Sequence, residues 1–331
     1  MSNYTNATPL KPVSERESLH KALVKIKARR QGNLKSLETA WDKFNDAFCD
    51  GLEWRTITIV GARPGTGKTL FMEQLVSDVI EKNPNEDFRV LKFQMEMVDE
   101  TNGIRKFSLK TGQDYNTLMS KGGNKIDKDI WNKCVDYYKN GEGNDIVNVV
   151  YDACTVNEFI ATVKYEQERY KKDGVYPNML VTIDHSALFK VDKYEKDKFQ
   201  MLGNLGEALT DLKKKYPIAF VVLSQLNRNI DDPRRSEDGS YGNYVLDSDI
   251  YGSDALYQHC DVCIGINKPS IRKIRQYGPE KFVIEDPETL VFHWLKSRNG
   301  ETKISFFKLD RKVMRIVEMA VPAQGIKISI K

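Results

Sequence analysis

The chain has 331 residues, with 51 Lys and Arg against 47 Asp and Glu and a formal net charge of +4. That length can bury a full core, and no uninterrupted apolar run reaches the ~18 residues of a membrane span, which excludes a helical membrane protein from the expectations. So small a charge excess says nothing about nucleic acid by itself, and five scattered cysteines (Cys49, Cys134, Cys154, Cys260, Cys263) are no disulfide framework, so a soluble cytoplasmic protein with reduced thiols is expected.

Residues 1–13 are polar, carry Pro9 and Pro12, and read as a flexible tail rather than a signal peptide. From Ser14 the spacing of Leu19, Ala22, Leu23 and Ile26 predicts a helix with one apolar stripe set among Arg16, Lys21, Lys25, Lys27, Arg29 and Arg30. Gly32-Asn33 ends it. A short helix followed by a break, ahead of a core that starts only near Trp54, suits docking on a neighbouring subunit better than filling its own domain. Residues 1–35 therefore read as tail and linker helix, and 36–331 as the main domain. Leu37 to Phe48 predicts a second short helix, and Gly51-Leu52 turns the chain into the first strand.

Thr56 to Val60 alternates β-branched residues and enters a loop holding Gly61, Arg63, Pro64, Gly65, Thr66 and Gly67. Lys68-Thr69 and a helix to Glu81 follow. Strand, glycine loop and helix in this order form a phosphate-binding loop: backbone amides and the helix N-terminus face phosphate oxygens, Lys68 reaches the β- and γ-phosphates, and Thr69 ligates Mg²⁺. The usual pattern is GxxxxGK(S/T), and here Ala62 stands at its first position.

Arg89 to Phe93 is the next predicted strand, and it delivers Glu96 to the same edge as the loop, where a carboxylate can polarise an attacking water. Val98 to Cys134 predicts several short helices, Ile146 to Tyr151 a strand and Val156 to Tyr170 a helix. Asn178 to Asp184 is an apolar run closing in an acid, placed to hold the Mg²⁺ shell. His185 after it is assigned no proton chemistry. A segment with Lys190 and Lys193, a helix from Phe199 to Tyr216 and an apolar strand from Ile218 to Leu223 lead to Ser224-Gln225-Leu226-Asn227-Arg228. The Gln225 amide can both donate and accept at a γ-phosphate and pass its loss to the loop beyond. That loop, 227–247, is long and polar, with Arg228, Arg234 and Arg235 partly cancelled by Asp231, Asp232, Glu237 and Asp238. A short helix to His259 and a buried strand from Asp261 to Ile266 follow. Cys260 and Cys263 lie at its start without a second ligand pair, so no zinc site is expected. Residues 267–288 read as a solvated insertion. Strands over 289–295, 303–309 and 312–318 close the chain, the first running into Lys296-Ser297-Arg298-Asn299-Gly300.

Several of these strings together resemble the DnaB-type replicative helicases over about residues 36–320: GARPxxGKT at the loop, the Q-M-E-M of Glu96 beside the family's S-L-E-M, SQLNR at Gln225, and KxRNG at Lys296. The resemblance implies a RecA-like P-loop NTPase core, α/β with a mainly parallel central sheet flanked by helices, plus the short N-terminal helical extension. It implies ATP and Mg²⁺, with Glu96 activating water, Lys68 and Gln225 on the γ-phosphate, Asp184 and Thr69 on the metal, and Lys296 and Arg298 acting across a subunit boundary. It also implies a hexameric ring translocating 5′ to 3′ on single-stranded DNA, held by Arg228, Arg234, Arg235, Lys190 and Lys193, with a primase or helicase loader as further partners. Only about 50 residues precede the phosphate loop, as expected of a compact phage or mobile-element version lacking the family's large N-terminal domain. A RecA-like recombinase, or a DnaB-like ATPase serving as loader or regulatory switch without unwinding, is the alternative.

Overall fold

The computed structural model describes residues 11–123, 125–141, 143, 145–235, 244–311 and 314–324. The chain divides between Ser36 and Leu37 into two units. The first is built on helix α1 (Glu15–Arg30). The Ser14 hydroxyl caps it by accepting from the Glu17 amide at 3.2 Å, and Glu17 pairs with Lys21 one turn on. None of its residues is buried. Leu19, Leu23 and Ile26 lie open to solvent, and the stripe is short because Arg16 and Arg30 fall on the same face at its two ends.

The second unit runs α2 (Asp42–Ala47), β1 (Thr56–Ala62), α3 (Lys68–Lys82), β2 (Phe88–Gln94), α4 (Asp99–Thr111), α5 (Tyr115–Leu118), α6 (Lys128–Asn140) and β3 (Val147–Val150). It continues with α7 (Val156–Arg169), β4 (Asn178–Asp184), α8 (Lys198–Lys215), β5 (Ile218–Gln225), α9 (Ser253–Tyr257), β6 (Val262–Asn267), β7 (Gln276–Tyr277), β8 (Phe282–Val283), β9 (Thr289–Ser297), β10 (Ile304–Asp310) and β11 (Arg315–Glu318). Nine strands form one sheet in the order β11-β10-β9-β6-β1-β5-β4-β2-β3. From β6 to β3 the neighbours run parallel, and β9 to β11 join antiparallel.

Side-chain alternation along β1 explains the layers. Ile57 and Ile59 point to one face, where they pack with Phe159 of α7 and Leu205 and Leu209 of α8. Val60 and Ala62 point to the other, against Phe71, Leu75 and Val79 of α3 and Phe44 of α2. A strand apolar on both faces must be covered twice, so the parallel part of the sheet sits between helix layers.

Two expectations are corrected. The helix expected from Leu37 starts only at Asp42, because Leu37 pairs as a β-bridge with Leu52 and the Asn45 side chain holds Thr39. Residues 267–288 are no solvated excursion. They fold into a turn over 269–272 and the β7–β8 hairpin, and Tyr277 and Phe282 pack with Val291 and Phe306 in a separate apolar cluster. Tyr277 Oη lies 2.6 Å from His293 Nε2, and burial pushes that imidazole down to about 3, so it stays neutral. Glu237 and Asp238 of the polar loop, and the expected strand start at Lys312, lie outside the described residues.

Candidate active site

β1 ends at Ala62 in extended backbone, which is why a Cβ is tolerated where the usual pattern has its first glycine. The glycines that matter come later: Gly65 and Gly67 adopt φ of +81° and +95°, in the left-handed region that other residues avoid. Gly67 is also the N-cap of α3, and the Phe71 amide donates to its carbonyl at 2.9 Å, so the helix begins on the loop itself. The Thr66 hydroxyl closes the turn onto the Arg63 carbonyl at 2.7 Å. Lys68 Nζ donates to the Ala62 carbonyl at 3.2 Å, and burial holds its pKa down although Asp184 and Glu96 pull it up.

The neighbouring strands end level with this loop. Register pairs Ala62 with Gln225 across β1 and β5, and Gln94 with Asp184 across β2 and β4. Asp184 is buried and is pushed up to about 6, chiefly by burial and further by Glu96, while the nearby Thr69 hydroxyl pulls it down. Glu96 stands exposed two residues past the tip of β2, close enough to act electrostatically on Lys68, Asp184 and His185. Gln225 Nε2 lies 3.3 Å from His185 Nε2, and burial lowers the pKa of that imidazole. Lys68, Thr69, Glu96, Asp184 and Gln225 thus converge on one sheet edge.

Beneath them are buried polar atoms without a hydrogen-bond partner: Asp184 Oδ1, Gln94 Oε1, His185 Nδ1 and Ser186 Oγ. Leaving such atoms unpaired costs about 1–3 kcal/mol each, so a cluster of them at strand tips marks a place built for a polar ligand. The free oxygen of Asp184 beside the Thr69 hydroxyl fits a hard, oxygen-seeking divalent cation. Gln94 and Ser186 escaped notice in the sequence; their position at strand ends was the available signal.

One consequence concerns stability. Because the pKa of Asp184 is raised, the ligand-free fold loses stability progressively as pH rises from about 4 to 6 and its buried carboxyl ionises, a loss of about 3 kcal/mol that is complete at neutral pH. Asp184→Asn should therefore melt higher than wild type at pH 7.5 without nucleotide. That advantage should shrink as pH falls below 6 and the wild-type carboxyl takes up its proton. A melting-temperature series over pH 5–8 checks this, and equal curves throughout would contradict it.

The remaining candidates lie elsewhere. Lys296 pairs in register with Cys263, and β6 in turn places Cys263 beside Ile59 of β1. Arg298, at 3.5 Å from Asp261, therefore sits level with Ile57, whose amide donates to the same carboxylate at 2.8 Å. That is roughly 16 Å back along β1 from the phosphate loop, at the opposite edge of the sheet. Lys296 Nζ meets the Tyr257 carbonyl at 2.7 Å and the face of its ring. Neither residue joins the cluster around Lys68. Of the basic candidates, Arg228, Lys190 and Lys193 are exposed, and Arg234 pairs with Asp232 while staying 83% exposed. Arg235 differs: it grips buried Asp249 through both guanidinium nitrogens, at 2.6 and 2.9 Å, and so braces the loop from within. Arg63 turns its guanidinium away from the glycines, to the Leu226 carbonyl at 3.0 Å and to Asp231 at 2.7 Å.

The family model for the DnaB-like helicase C-terminal domain matches residues 36–318. This chain belongs to the DnaB-like helicase C-terminal domain family. The replicative DNA helicase DnaB of Helicobacter pylori strain J99 is 25% identical over 256 residues, which cover 75% of this chain and 47% of that protein. The replicative DNA helicase DnaC of Bacillus subtilis strain 168 is 23% identical over 227 residues, 67% of this chain and 47% of that protein. The chain spans about half the length of these curated relatives. Among solved structures, one isolated ATPase domain superposes with a TM-score of 0.76 at 16% identity, covering 94% of this chain and 100% of that one. A DnaB-like replicative helicase, described with its interactions with primase, gives 0.74 at 16% identity, covering 94% and 68%. Both likenesses establish the fold, a mostly parallel sheet flanked by helices. The DnaB-like core extends through the whole sheet, β11 included, so the strand tips described above belong to it.

Proposed function

We propose that this DnaB-like domain is the ATP-hydrolysing motor of a replicative-type DNA helicase. The observation that carries the proposal is the split of the chemistry along one sheet: Lys68, Thr69, Glu96, Asp184 and Gln225 stand at one edge and Arg298 at the other, with Lys296 level with the middle of β1. A complete site then needs two copies of the chain, each lending its far edge to the next. Closing that head-to-tail contact on itself gives a ring.

Within a site, the amides around Gly65 and Gly67 and the Lys68 ammonium bind the β- and γ-phosphates of ATP. Asp184 and Thr69 hold Mg²⁺, which when bound offsets the negative charge of the triphosphate. Glu96 accepts a hydrogen bond from the attacking water and aligns it with the γ-phosphorus. Lys296 and Arg298 of the neighbouring copy face the oxygens on which charge gathers, a task a planar guanidinium suits. Gln225 reads the γ-phosphate and passes its departure to the loop behind it, where Arg228 and Arg234, with Lys190 and Lys193, meet the phosphates of single-stranded DNA. Arg235 supports that loop through Asp249.

The α1 stripe is the device proposed for holding copies together. The matching surface on a neighbour is the apolar groove between α4 and α6, where Trp131, Met119 and Tyr138 are exposed beside Phe107 and Val135. Family membership supports a hexamer moving 5′ to 3′, a primase or loader as partner, and action in the cytoplasm. No helix among the described residues is long and apolar enough to cross a membrane.

A forked DNA substrate tests the whole reading. With ATP and Mg²⁺ the wild type should form closed rings in electron micrographs and displace the annealed strand, and Leu23→Asp/Ile26→Asp should lose both while keeping its fold by circular dichroism. Long filaments that pair homologous DNA would instead establish a recombinase, and rings that hydrolyse ATP but never unwind would establish a switch.

A further inference from the structure

The contact between Arg63 and Asp231 joins two parts of the molecule that the proposed function treats separately. Arg63 belongs to the phosphate loop, and Asp231 closes the turn Arg228–Asp231 that follows the sensor strand β5. A third segment completes the contact. Arg272, in the insertion after β6, approaches the second carboxylate oxygen of Asp231 at 2.5 Å, while Arg63 approaches the first at 2.7 Å. One partly buried carboxylate is thus shared by two guanidiniums from separate segments, beside a cavity of about 110 Å³ lined by Pro64 and Thr66 among others. The insertion is fixed for this work: Lys268, 5% exposed, pairs with Glu288 at 2.6 Å, and the Ser270 hydroxyl donates to the Pro287 carbonyl. On the loop side, buried Ile230 anchors the same turn.

The charges give this arrangement two states. Arg63 sits next to the glycines that would receive a nucleotide, so a triphosphate and Asp231 compete for one guanidinium. Arg272 lies outside the phosphate loop and keeps its hold on Asp231. We propose that Asp231 is a positioning residue: it restrains Arg63 when no nucleotide is bound, and its release from Arg63 tells the turn at Arg228 that the phosphate loop is occupied. The insertion supplies, through Arg272, the fixed post against which the turn moves. This rests on the reading that the chain binds ATP and single-stranded DNA. A ligand couples two sites only through different contacts in two states, and the coupling acts equally in both directions. The competition for Arg63 provides such contacts.

The test measures two affinities on the full chain: a non-hydrolysable ATP analogue with Mg²⁺, and a fluorescein-labelled oligothymidylate. In wild type the analogue should change the DNA dissociation constant by a factor in the usual range for coupled sites, roughly 5–150-fold. Asp231→Asn removes the charge at constant shape. It should bind the analogue several-fold more tightly in the absence of DNA, because Arg63 is no longer restrained, and its coupling factor should fall to within about twofold of one. Arg272→Ala leaves Arg63 with Asp231 and frees the turn, so it should lose coupling without the gain in nucleotide affinity. A merely structural role would weaken both affinities together. If wild type binds neither probe, the helicase reading fails and takes this inference with it. If wild type binds both and is uncoupled, or if both variants keep the wild-type coupling factor, the helicase reading stands and the role of Asp231 is overturned.

Discussion

Arg298→Ala should abolish ATP hydrolysis, by roughly 10³- to 10⁵-fold in kcat, the range for removal of a guanidinium that faces a transferring phosphoryl group. Nucleotide affinity should change little, because the phosphate loop of each copy is untouched. The decisive arm is a mixture. Lys68→Ala should be equally inactive by itself, since it lacks the ammonium proposed to face the phosphates. Combined in equal amounts, the two inactive proteins should recover activity: where an Arg298→Ala copy lends its intact Lys68 and a Lys68→Ala copy lends its intact Arg298, one working site would form, at roughly a quarter of interfaces if the copies assemble at random. The expectation comes directly from the register, in which Arg298 sits level with Ile57 and the loop follows Ala62 at the other end of the same strand. Mixed rings demonstrated by tagged pull-down but showing no hydrolysis would mean that Arg298 serves its own copy, or none.

Glu96→Gln is the second large effect. The amide keeps the size and most of the hydrogen bonding but cannot accept a proton or polarise water as a carboxylate does. A fall of roughly 10²- to 10⁴-fold in kcat follows for a general base, with the KM for ATP nearly unchanged and ATP-stabilised ring assembly preserved. Exposure of Glu96 is compatible with this role, since in the proposed ring the neighbouring copy covers the strand tips. A matching loss in nucleotide affinity would count against a base and would give Glu96 a part in binding. Asp184→Asn provides the contrast: it should lose hydrolysis through the metal and, unlike Glu96→Gln, gain thermal stability at neutral pH, because the Asp184 carboxylate is deeply buried while Glu96 is exposed.

Much of this site could be read from the chain before any coordinates. The β-branched run into Gly65 and Gly67, the helix starting at Lys68, and the apolar runs ending in Asp184 and Gln225 are all contiguous strings, and each appears in the structure at the place its pattern required. Misreadings arose where a distant segment intervened. Leu37 to Trp41 has helical composition, yet its backbone is claimed by Leu52 and the Asn45 side chain. The insertion at 267–288 is rich in Lys and Arg and reads as solvated, yet Tyr277 and Phe282 find an apolar partner surface on β9 and β10. The hold of Asp249 on Arg235, fourteen residues back, could not be read from the chain either.

What the sequence determined by itself is the inventory of chemistry and its local setting: a phosphate loop with its lysine and threonine, carboxylates and an amide at strand ends, and a basic pair before a turn. Those features depend on backbone sterics and side-chain alternation over a few residues, which neighbours in the chain dictate. Only the tertiary structure decided how they are shared out. Strand order brought Asp184, Gln225 and Glu96 to the loop and kept Lys296 and Arg298 away from it, Arg298 at the far edge; burial left Asp184, Gln94, His185 and Ser186 with unpaired atoms; and Asp231 was caught between Arg63 and Arg272. Strand pairing, desolvation and charge pairing act between segments as far apart as Asp78 and Arg315, and no local pattern in the chain records which segments will meet.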